Sequence, residues 1–470
     1  MTTTPRTVDC VIVGGGPAGL AAARTAARAG VAVMLVDENA DLGGQYYRRL
    51  PDAFGTAARS HRGREAAEGE RLIEEVRGLG VELCLGAVAW GIFDERTVAV
   101  ATAERTTLIT ARTLILAPGA YDRPVPFPGW TLPGVFTAGG AQNLMKGYGV
   151  LPGRRVLIAG SGPLLLVVAH HLLRGGAEVV AIAEASAMRD LWRYAPRMLP
   201  HLNFVQQGYR YRQEIREAGV PLLTGRVIRR ALGEQEVAGA LLAQCTDDWT
   251  PIAGTAQRFD VDAVIVGYGF APSLELSRLA GCEHGWDAAR GSWVPVRTRE
   301  LESTVPGVFI AGDGAGVAGS AVALAEGHLA GLAAAGRLER STGRAYARAA
   351  SRARGRLLHL AGFRGVMDQL YRFGAGIYTL GEDDTTLCRC EEVTVDEALE
   401  AVREGATHVN EVKAWTRVGM GRCQGRMCGP ALGHLVAAAT GRPITDAGFF
   451  SPRPPAKPIS LEALSASSNE

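Results

Sequence analysis

The chain has 470 residues, of which 47% are hydrophobic, so it can bury a large core, and this length predicts about two to four domains. Its 50 basic and 48 acidic residues are interspersed and leave a formal net charge of +2, so no nucleic-acid partner is predicted. The longest apolar runs are interrupted by glycine and histidine, and no transmembrane segment is predicted.

The start of the chain, MTTTPRTVDC, is polar and leads directly into an apolar run. It has no room for the charged region, apolar core and cleavage site of a secretory signal. We therefore expect a cytoplasmic protein, with loose peripheral attachment to a membrane left open.

The first candidate site is the segment CVIVGGGPAGLAAARTAARAGVAVMLVDE. It places Gly14, Gly16 and Gly19 as GxGxxG between an apolar strand and an alanine-rich helix, whose free amino-terminal amides favour a pyrophosphate. Asp37 follows eighteen residues after Gly19, at the end of a second strand, where a carboxylate can accept hydrogen bonds from ribose hydroxyls, and Glu38 is its substitute. The pattern predicts a dinucleotide site of the Rossmann type.

Later segments favour FAD over NAD at this site. Gly43 and Gly44 place backbone beside the cofactor just after the second strand, and Gly119 ends another apolar strand, in TLILAPGAYDRP. In GVFIAGDGAGVAGS, Gly312 precedes Asp313, which is positioned to hold a ribityl or pyrophosphate group. The alternative for Asp313 is a simple helix N-cap.

A second unit of the same kind occurs in RRVLIAGSGPLLLVVAHHLLRGGAEVVAIAEAS. Gly160 and Gly162 repeat the pattern, but Leu165 stands where the third glycine is expected. Glu184, at the tip of the following strand, favours NAD or another adenine nucleotide over NADP. A working nucleotide site and an empty remnant of the fold both stay open.

Four of the eight cysteines lie near the C-terminus. Cys388 and Cys390 form a CxC, and Cys423 and Cys428 form a Cx4C after a gap of 32 residues. The first pair precedes a helix that Thr394 is expected to cap, and the second pair surrounds a glycine-rich loop before another helix. Four thiolates in this spacing favour a [2Fe-2S] cluster, whereas structural zinc more often uses CxxC pairs.

These segments predict an α/β flavoprotein with two interleaved Rossmann-like domains and a small C-terminal domain. The Arg- and Ala-rich stretch from Ser341 to His359 predicts a helical connector. The expected limits are 1–145 for the first part of the FAD domain, 146–255 for the second nucleotide domain, 256–345 for the second part of the FAD domain, 346–386 for the connector and 387–470 for the [2Fe-2S] domain.

The motifs GGGPAGLAAA, LVDENADLGGQYYRR, APGAYDRPVPFPGWTLPGV, AGDGAGVAGS and CRCEEVT with CQGRMCGPAL cover nearly the whole chain. In them the chain resembles the alpha subunits of heteromeric, dye-linked amino-acid and opine dehydrogenases, a group that includes opine oxidase, D-hydroxyproline dehydrogenase, proline dehydrogenase and hydrogen cyanide synthase. The CxxC of disulfide reductases is absent beside both nucleotide motifs. A thioredoxin-reductase-like activity is therefore not expected.

The resemblance implies a C-terminal domain similar to bacterioferritin-associated ferredoxin, with the four cysteines on a [2Fe-2S] cluster. It also implies a beta subunit related to D-amino acid oxidase, a small ferredoxin-like gamma subunit, FMN at a subunit interface and a second nucleotide, NAD or ATP. The residues that the resemblance assigns to FAD are Gly14, Gly16, Gly19, Asp37, Gly44, Gln45 and Asp313.

The leading hypothesis is an electron-transferring subunit of a heteromeric amine dehydrogenase or oxidase that acts on the C–N bond of an opine, hydroxyproline or proline. The motifs of this chain concern cofactors, and no catalytic residue for a substrate is identified. Two alternatives stay open, a self-contained NADH-dependent flavin and iron–sulfur reductase, and a redox-sensing or assembly subunit.

Overall fold

A computed structural model describes residues 6–50, 64–188 and 191–466. The first five residues, which belong to the prediction about a secretory signal, lie outside this range. Among the described residues, no helix is both long and apolar enough to cross a membrane.

Strands occur throughout the described part of the chain. They are β1 (Arg6–Val13), β2 (Val33–Asp37), β3 (Glu82–Leu85), β4 (Val88–Phe93), β5 (Thr97–Ala101), β6 (Thr106–Leu116), β7 (Ala120–Asp122), β8 (Val135–Thr137), β9 (Arg155–Gly160), β10 (Glu178–Glu184), β11 (Leu222–Thr224), β12 (Arg226–Leu232), β13 (Gly239–Gln244), β14 (Gln257–Phe259), β15 (Ala263–Gly267), β16 (Phe270–Pro272), β17 (His284–Asp287), β18 (Ser292–Pro295), β19 (Val308–Ile310), β20 (Thr386–Cys388) and β21 (Val393–Thr394).

The helices are α1 (Pro17–Arg28), α2 (Arg64–Gly78), α3 (Ala138–Tyr148), α4 (Leu164–Arg174), α5 (Ala195–Met198), α6 (Leu202–Glu217), α7 (Glu275–Leu279), α8 (Ser320–Arg337), α9 (Gly343–Leu370), α10 (Val395–Arg403), α11 (Val409–Thr416), α12 (Gly429–Thr440), α13 (Ile444–Ala447) and α14 (Leu461–Ser465). Short 3-10 turns occur at Leu191–Tyr194, Leu199–His201, Gly312–Ala315 and Ala375–Thr379.

The first sheet has the order β3-β2-β1-β6-β5-β4, and β19 pairs with β6. The strands β1, β2, β3, β6 and β19 are joined in parallel pairs, so their carboxyl ends lie at one edge of the sheet. Every residue of β2 is buried, as expected for a parallel strand covered on both faces. Helices α1 and α8 pack closely, because Gly327 and Gly331 lie against the α1 backbone.

The second sheet has the order β11-β10-β9-β15-β8, again in parallel pairs. Its strands come from residues 135 to 267, and α4 packs on one face with α3. The first sheet therefore takes strands from before and after the segment that forms the second sheet. This is the interleaving of two α/β parts that the sequence predicts. The domain limits given above stay a prediction.

The helix predicted from Ser341 to His359 is present as α9, which begins at Gly343 and extends to Leu370, while its role as a connector stays a prediction. The C-terminal segment after it does not stand apart from the rest of the chain. Buried residues of the second sheet, such as Leu157 and Ala181, belong to the same hydrophobic cluster as Cys388, Cys428 and Leu432. The Trp130 indole Nε1 also donates a hydrogen bond to the Thr386 carbonyl oxygen at 2.7 Å.

Candidate functional site

The first glycine loop lies at the carboxyl edge of the first sheet, between β1 and α1. Gly14 has φ +106°, and a Cβ atom there would lie 2.1 Å from the Ala117 carbonyl oxygen. A Cβ atom at Gly19 would lie 1.7 Å from the Gly14 carbonyl oxygen, so α1 can approach β1 only without a side chain at this position. Gly16 is the N-cap of α1, and no side chain caps the helix. The amino-terminal amides of α1 therefore have no side-chain partner and suit an anion.

Asp37 ends β2 and is 7% exposed. Its Oδ2 atom accepts a hydrogen bond from the Gly15 amide at 2.5 Å, and its Oδ1 atom accepts from the Asn39 amide at 2.7 Å. The carboxylate thus lies over the glycine loop. Glu38 points elsewhere and forms an ion pair with Lys457.

Gly43 and Gly44, in the loop after β2, pack directly against the first glycine loop. The Gly43 amide donates to the Gly15 carbonyl oxygen at 2.9 Å, and a Cβ atom at Gly44 would lie 2.9 Å from the Gly16 Cα atom. Gly44 has φ +58°, which favours glycine. Gln45 is exposed beside them. The two loops together form a cradle made of backbone.

Asp313 follows β19, whose carboxyl end lies at the same edge as those of β1 and β6. Its Oδ1 atom accepts hydrogen bonds from the Ala318 amide at 2.9 Å and the Gly319 amide at 3.1 Å. The N-cap of α8 is Gly319, so Asp313 orders the loop before the helix and is not the N-cap of α8. Gly119 lies close by, because its carbonyl oxygen would be 3.3 Å from a Cβ atom at Gly314.

The second glycine loop, between β9 and α4, has a different geometry. Here Gly162 has φ +116°, whereas Gly160 lies against Gly267 without a positive φ. The Glu184 carboxylate accepts hydrogen bonds from the Gly162 amide at 3.0 Å and the Ser186 amide at 2.9 Å. Glu184 is buried, and burial raises the pKa of its carboxyl group, while the backbone hydrogen bonds oppose this shift. The acid is satisfied within the protein.

Leu165 takes the place of the third glycine, and it is 1% exposed. Its side chain belongs to the core between α3, α4 and the second sheet. The space it occupies lies opposite Gly267, where a Cβ atom would be 3.0 Å from the Leu165 Cδ2 atom. The leucine therefore packs inward against a strand that has no side chain at the contact.

A cavity of about 360 Å³ joins the two halves of the protein. Its walls include Gly162 from the second loop, and Asp313 and Ser320 from the segment between β19 and α8. Helices α6 and α9 close it with Phe204 and Phe363, whose rings stack 4.5 Å apart. Sequence reasoning did not identify this wall, because neither helix carries a cofactor motif.

The four C-terminal cysteines converge as two neighbouring pairs. The Cys428 thiol donates a hydrogen bond to the Cys388 sulfur, and the Cys390 and Cys423 side chains are also hydrogen-bonded to each other. Cys388 ends β20, Cys428 is the N-cap of α12, and the other two lie in turns. Thr394 caps α10 in a capping box with Glu397, which confirms the predicted cap.

Hydrogen bonds favour a thiolate at Cys388. The Cys428 thiol and the backbone amides of Gly419, Glu391 and Cys390 lower the pKa of Cys388 to about 5, although burial opposes this shift. Burial raises the pKa of Cys423, and the Cys388 sulfur, together with burial, raises that of Cys428. As the side chains stand in the described part of the chain, no group of three or more His, Cys, Asp or Glu residues has the arrangement of a metal site.

A second, smaller cavity of about 120 Å³ lies between these cysteines and the main body. Its lining combines rings, such as Tyr121 and Trp286, with the cations Arg278 and Arg426. The Arg278 guanidinium lies 3.6 Å over the Phe449 ring, and its buried Nε atom has no hydrogen-bond partner among the described residues. Sequence reasoning missed this cavity, because its walls come from distant segments without a shared motif.

Comparison with protein-family models identifies the family of this chain. A family model described as "Pyridine nucleotide-disulphide oxidoreductase" matches residues 8–339. The chain belongs to the pyridine nucleotide-disulphide oxidoreductase family. This family is flavin-dependent, so FAD is the implied cofactor and the chain is an oxidoreductase. A second model, "Sarcosine oxidase A3 domain", matches residues 385–468, the segment that holds the four cysteines.

Two curated relatives match over almost their full length. The chain is 36% identical to an opine oxidase subunit of Rhizobium meliloti over 458 residues, covering 96% of this chain and 97% of the relative. It is 33% identical to "Hydrogen cyanide synthase subunit HcnB" of Pseudomonas protegens over 480 residues, covering 98% of each chain. The predicted resemblance to the subunits of opine oxidase and hydrogen cyanide synthase is confirmed.

Among solved structures, the L-proline dehydrogenase of P. horikoshii superposes with a TM-score of 0.70 and 21% identity. The match covers 99% of this chain and 81% of that chain. At this identity, the match shows a common fold. The fold therefore extends through the C-terminal segment as well as the two Rossmann-like parts.

Proposed function

We propose that this chain is the electron-transferring flavoprotein subunit of a heteromeric amine dehydrogenase or oxidase. Its partner, a subunit related to D-amino acid oxidase, would oxidise the C–N bond of an opine, hydroxyproline or proline. A small ferredoxin-like subunit would complete the complex. The relatives named above are subunits of an opine oxidase and a hydrogen cyanide synthase, which supports this assignment.

The observation that carries the proposal is the convergence of four cysteines next to the flavoprotein body. Cys388 and Cys428 are buried in a core that continues into the second sheet. A cofactor at these cysteines would have a fixed position relative to the FAD loop. Flavin exchanges two electrons as a hydride, and an iron–sulfur cluster exchanges single electrons.

The donor set fits a [2Fe-2S] cluster. Cys388, Cys390, Cys423 and Cys428 would supply four thiolates, and backbone amides such as those of Gly419 and Gly425 already point at two of the sulfurs. Such N–H to sulfur contacts tune the potential of a cluster. A Cβ atom at Gly421 would lie 2.2 Å from the Cys390 Cβ atom, so position 421 must lack a side chain for the cysteine to keep its place.

Spectra of the purified full chain test this proposal. We expect flavin absorbance, about two irons and two sulfides per chain, and the electron paramagnetic resonance signal of a reduced [2Fe-2S] cluster. Cys390→Ser should abolish the signal, while Cys84→Ser, in β3 of the first sheet, should leave it intact. One zinc per chain and no such signal would contradict the cluster. Strong turnover of proline or opines by the chain alone would contradict the subunit role.

The resemblance also implies FMN at a subunit interface, and we propose the smaller cavity as its site. A planar ring would stack among Tyr121, Trp286 and Phe449, and a phosphate would pair with the Arg278 guanidinium, which lines the cavity. Arg278→Gln should lower FMN retention in the assembled complex while leaving FAD bound. Equal FMN content in the variant complex would remove this cavity from consideration.

One observation favours the NADH-dependent alternative. The second glycine loop and the Asp313 loop line the same cavity, so a nucleotide at Gly162 would face the flavin side. Against it, Leu165 stands where the third glycine is expected, and its buried side chain fills the contact between α4 and the second sheet. Mixing the oxidised protein with NADH in a stopped-flow spectrophotometer distinguishes an NADH-dependent reductase from an electron-transferring subunit. Rapid flavin bleaching is expected only if NADH donates the hydride. Retention of NAD or ATP without bleaching would favour a structural nucleotide.

A further inference from the structure

The loop from Cys423 to Cys428 contains an arginine, Arg426, with three separate partners. Its Nη1 atom donates a hydrogen bond to the Cys423 carbonyl oxygen at 3.2 Å, within the loop. Its Nη2 atom donates to the Ala456 carbonyl oxygen at 2.9 Å, and its Nε atom lies 2.8 Å from the Glu275 Oε1 atom. Because each contact uses a different nitrogen of a planar group, the three contacts together fix the place of the side chain.

Two of the three partners are anchored on the first sheet. Glu275 begins α7, and the next residue of that helix, Leu276, is buried in the hydrophobic cluster of the first sheet. Ala456 is a member of the same cluster, and its amide donates a hydrogen bond to the Trp90 carbonyl oxygen of β4 at 2.6 Å. Arg426 therefore ties the cysteine loop to the core of the part that holds the first glycine loop.

The ion pair between Arg426 and Glu275 is mostly buried, since the two side chains are 17% and 22% exposed. Solvent screens such a pair less than a surface pair, and loss of one partner leaves the other charge without its counterpart. Arg422, directly before Cys423, is by contrast exposed, and its side chain forms no ion pair with any described residue. The two arginines of this region thus differ in contacts although they carry the same charge.

Helix α7 supports the cysteine loop through a second contact. The Arg278 guanidinium lies 3.6 Å over the ring of Phe449. The next residue, Phe450, packs directly on the loop, because a Cβ atom at Gly425 would lie 2.3 Å from the Phe450 Cδ2 atom. The helix therefore reaches the loop directly through Glu275 and indirectly through the two phenylalanines.

We propose that Arg426 is a positioning residue, which holds Cys423 and Cys428 in place relative to Cys388 and Cys390 by fixing their loop to the first sheet. The inference rests on the proposed cluster at these four cysteines. The first pair belongs to a different segment, at the end of β20, so the two pairs meet only if both segments keep their places. Groups that orient metal ligands without touching the metal affect metal retention strongly. The cysteine site is then complete only while its loop is docked on α7.

The rate of cluster loss from the purified full chain in a chelator tests the proposal. Visible absorbance follows the loss, and electron paramagnetic resonance reports the shape of the reduced cluster. Arg426→Gln should lose the cluster about tenfold faster than the unaltered chain and shift the g-values of its signal. The matched control, Arg422→Gln, removes the same charge beside Cys423 and should behave as the unaltered chain does. Glu275→Gln should change both readouts in the same direction, and the double variant should be no worse than Arg426→Gln.

A milder variant guards against misfolding. Arg426→Lys keeps the charge but cannot reach all three partners at once, so its rate should lie between those of the unaltered chain and Arg426→Gln. Flavin absorbance and a cooperative melting transition identify the variants that fold. Equal rates for Arg426→Gln and Arg422→Gln would overturn the proposal, as would additive effects of Arg426→Gln and Glu275→Gln. Zinc in place of iron would contradict the proposed cluster but not the role of Arg426, which the release rates of zinc then test in the same way.

Discussion

The two glycine loops of this protein occupy equivalent places in the parallel parts of two sheets but differ in which backbone amide the acid at the end of the second strand contacts. In the first loop, Asp37 reaches the Gly15 amide, and Gly19 lets α1 lie directly against β1. In the second loop, the longer Glu184 reaches one residue further along its turn, to Gly162, and Leu165 fills the space between helix and sheet. In the first loop the helix packs on the strand with no side chain between them, and in the second a buried leucine fills the equivalent contact.

The largest effect should come from the glycine that holds helix and strand together in the first loop. Gly19→Val would place side-chain atoms onto the Gly14 carbonyl oxygen, so we expect loss of bound flavin and destabilisation by more than about 4 kcal/mol. Flavin absorbance per chain and thermal unfolding measure both. Gly355→Ala, in the open middle of α9, is the control and should not destabilise. Normal flavin content in Gly19→Val would contradict the tight contact.

The second loop should show a loss of stability without a loss of flavin. Leu165→Ala leaves a hole in the core of the second sheet, and we expect a decrease of about 2–4 kcal/mol in the free energy of unfolding. Leu173→Ala, on the same helix but only partly buried, should cost less. Chemical denaturation monitors both variants. Acquisition of tight NAD binding by Leu165→Ala, with little loss of stability, would instead identify Leu165 as a plug in a nucleotide site.

Substitution of the acids Asp37 and Glu184 should have a smaller effect, which is limited to the affinity for FAD. Asp37→Asn keeps the shape but weakens acceptance from Gly15 and from a ribose, so the dissociation constant of FAD should rise about tenfold, or about 1.4 kcal/mol. Glu184→Gln should leave it unchanged. Titration of the apoprotein with FAD gives both constants. Equal weakening by the two substitutions would mean that the second loop also contributes to the flavin site.

The smallest expected effect is the pH dependence that Glu184 contributes. Because burial raises the pKa of this carboxyl in the folded protein, the folded state binds more protons than the unfolded state in the interval above the ordinary value of 4.5. Its contribution to stability is therefore largest below that value and decreases as the pH rises through the raised pKa. The difference in unfolding free energy between the native chain and Glu184→Gln should follow this course, and a difference that grows with pH would contradict it.

The sequence predicted the local parts of the sites well. The turns at Gly14 and Gly44, the cap at Thr394 and the helix after Ser341 are determined by neighbouring residues, so spacing and residue type suffice to predict them. The contact between Glu38 and Lys457 could not be predicted, because 419 residues separate the two. The same holds for the cavity walls, which come from distant segments.

The hydrophobic cluster shared by the second sheet and the C-terminal segment has a consequence for assembly of the holoprotein. Leu157 and Cys428 lie in one continuous core, so the C-terminal segment cannot loosen without exposing apolar surface of the second sheet. Any ligand held by the cysteines would stabilise the whole chain by mass action, in proportion to its affinity. Occupation of the cysteine site and resistance to proteolysis would then rise together, and with the proposed cluster as the ligand, cells starved of iron should accumulate less of this protein even where its flavin is plentiful.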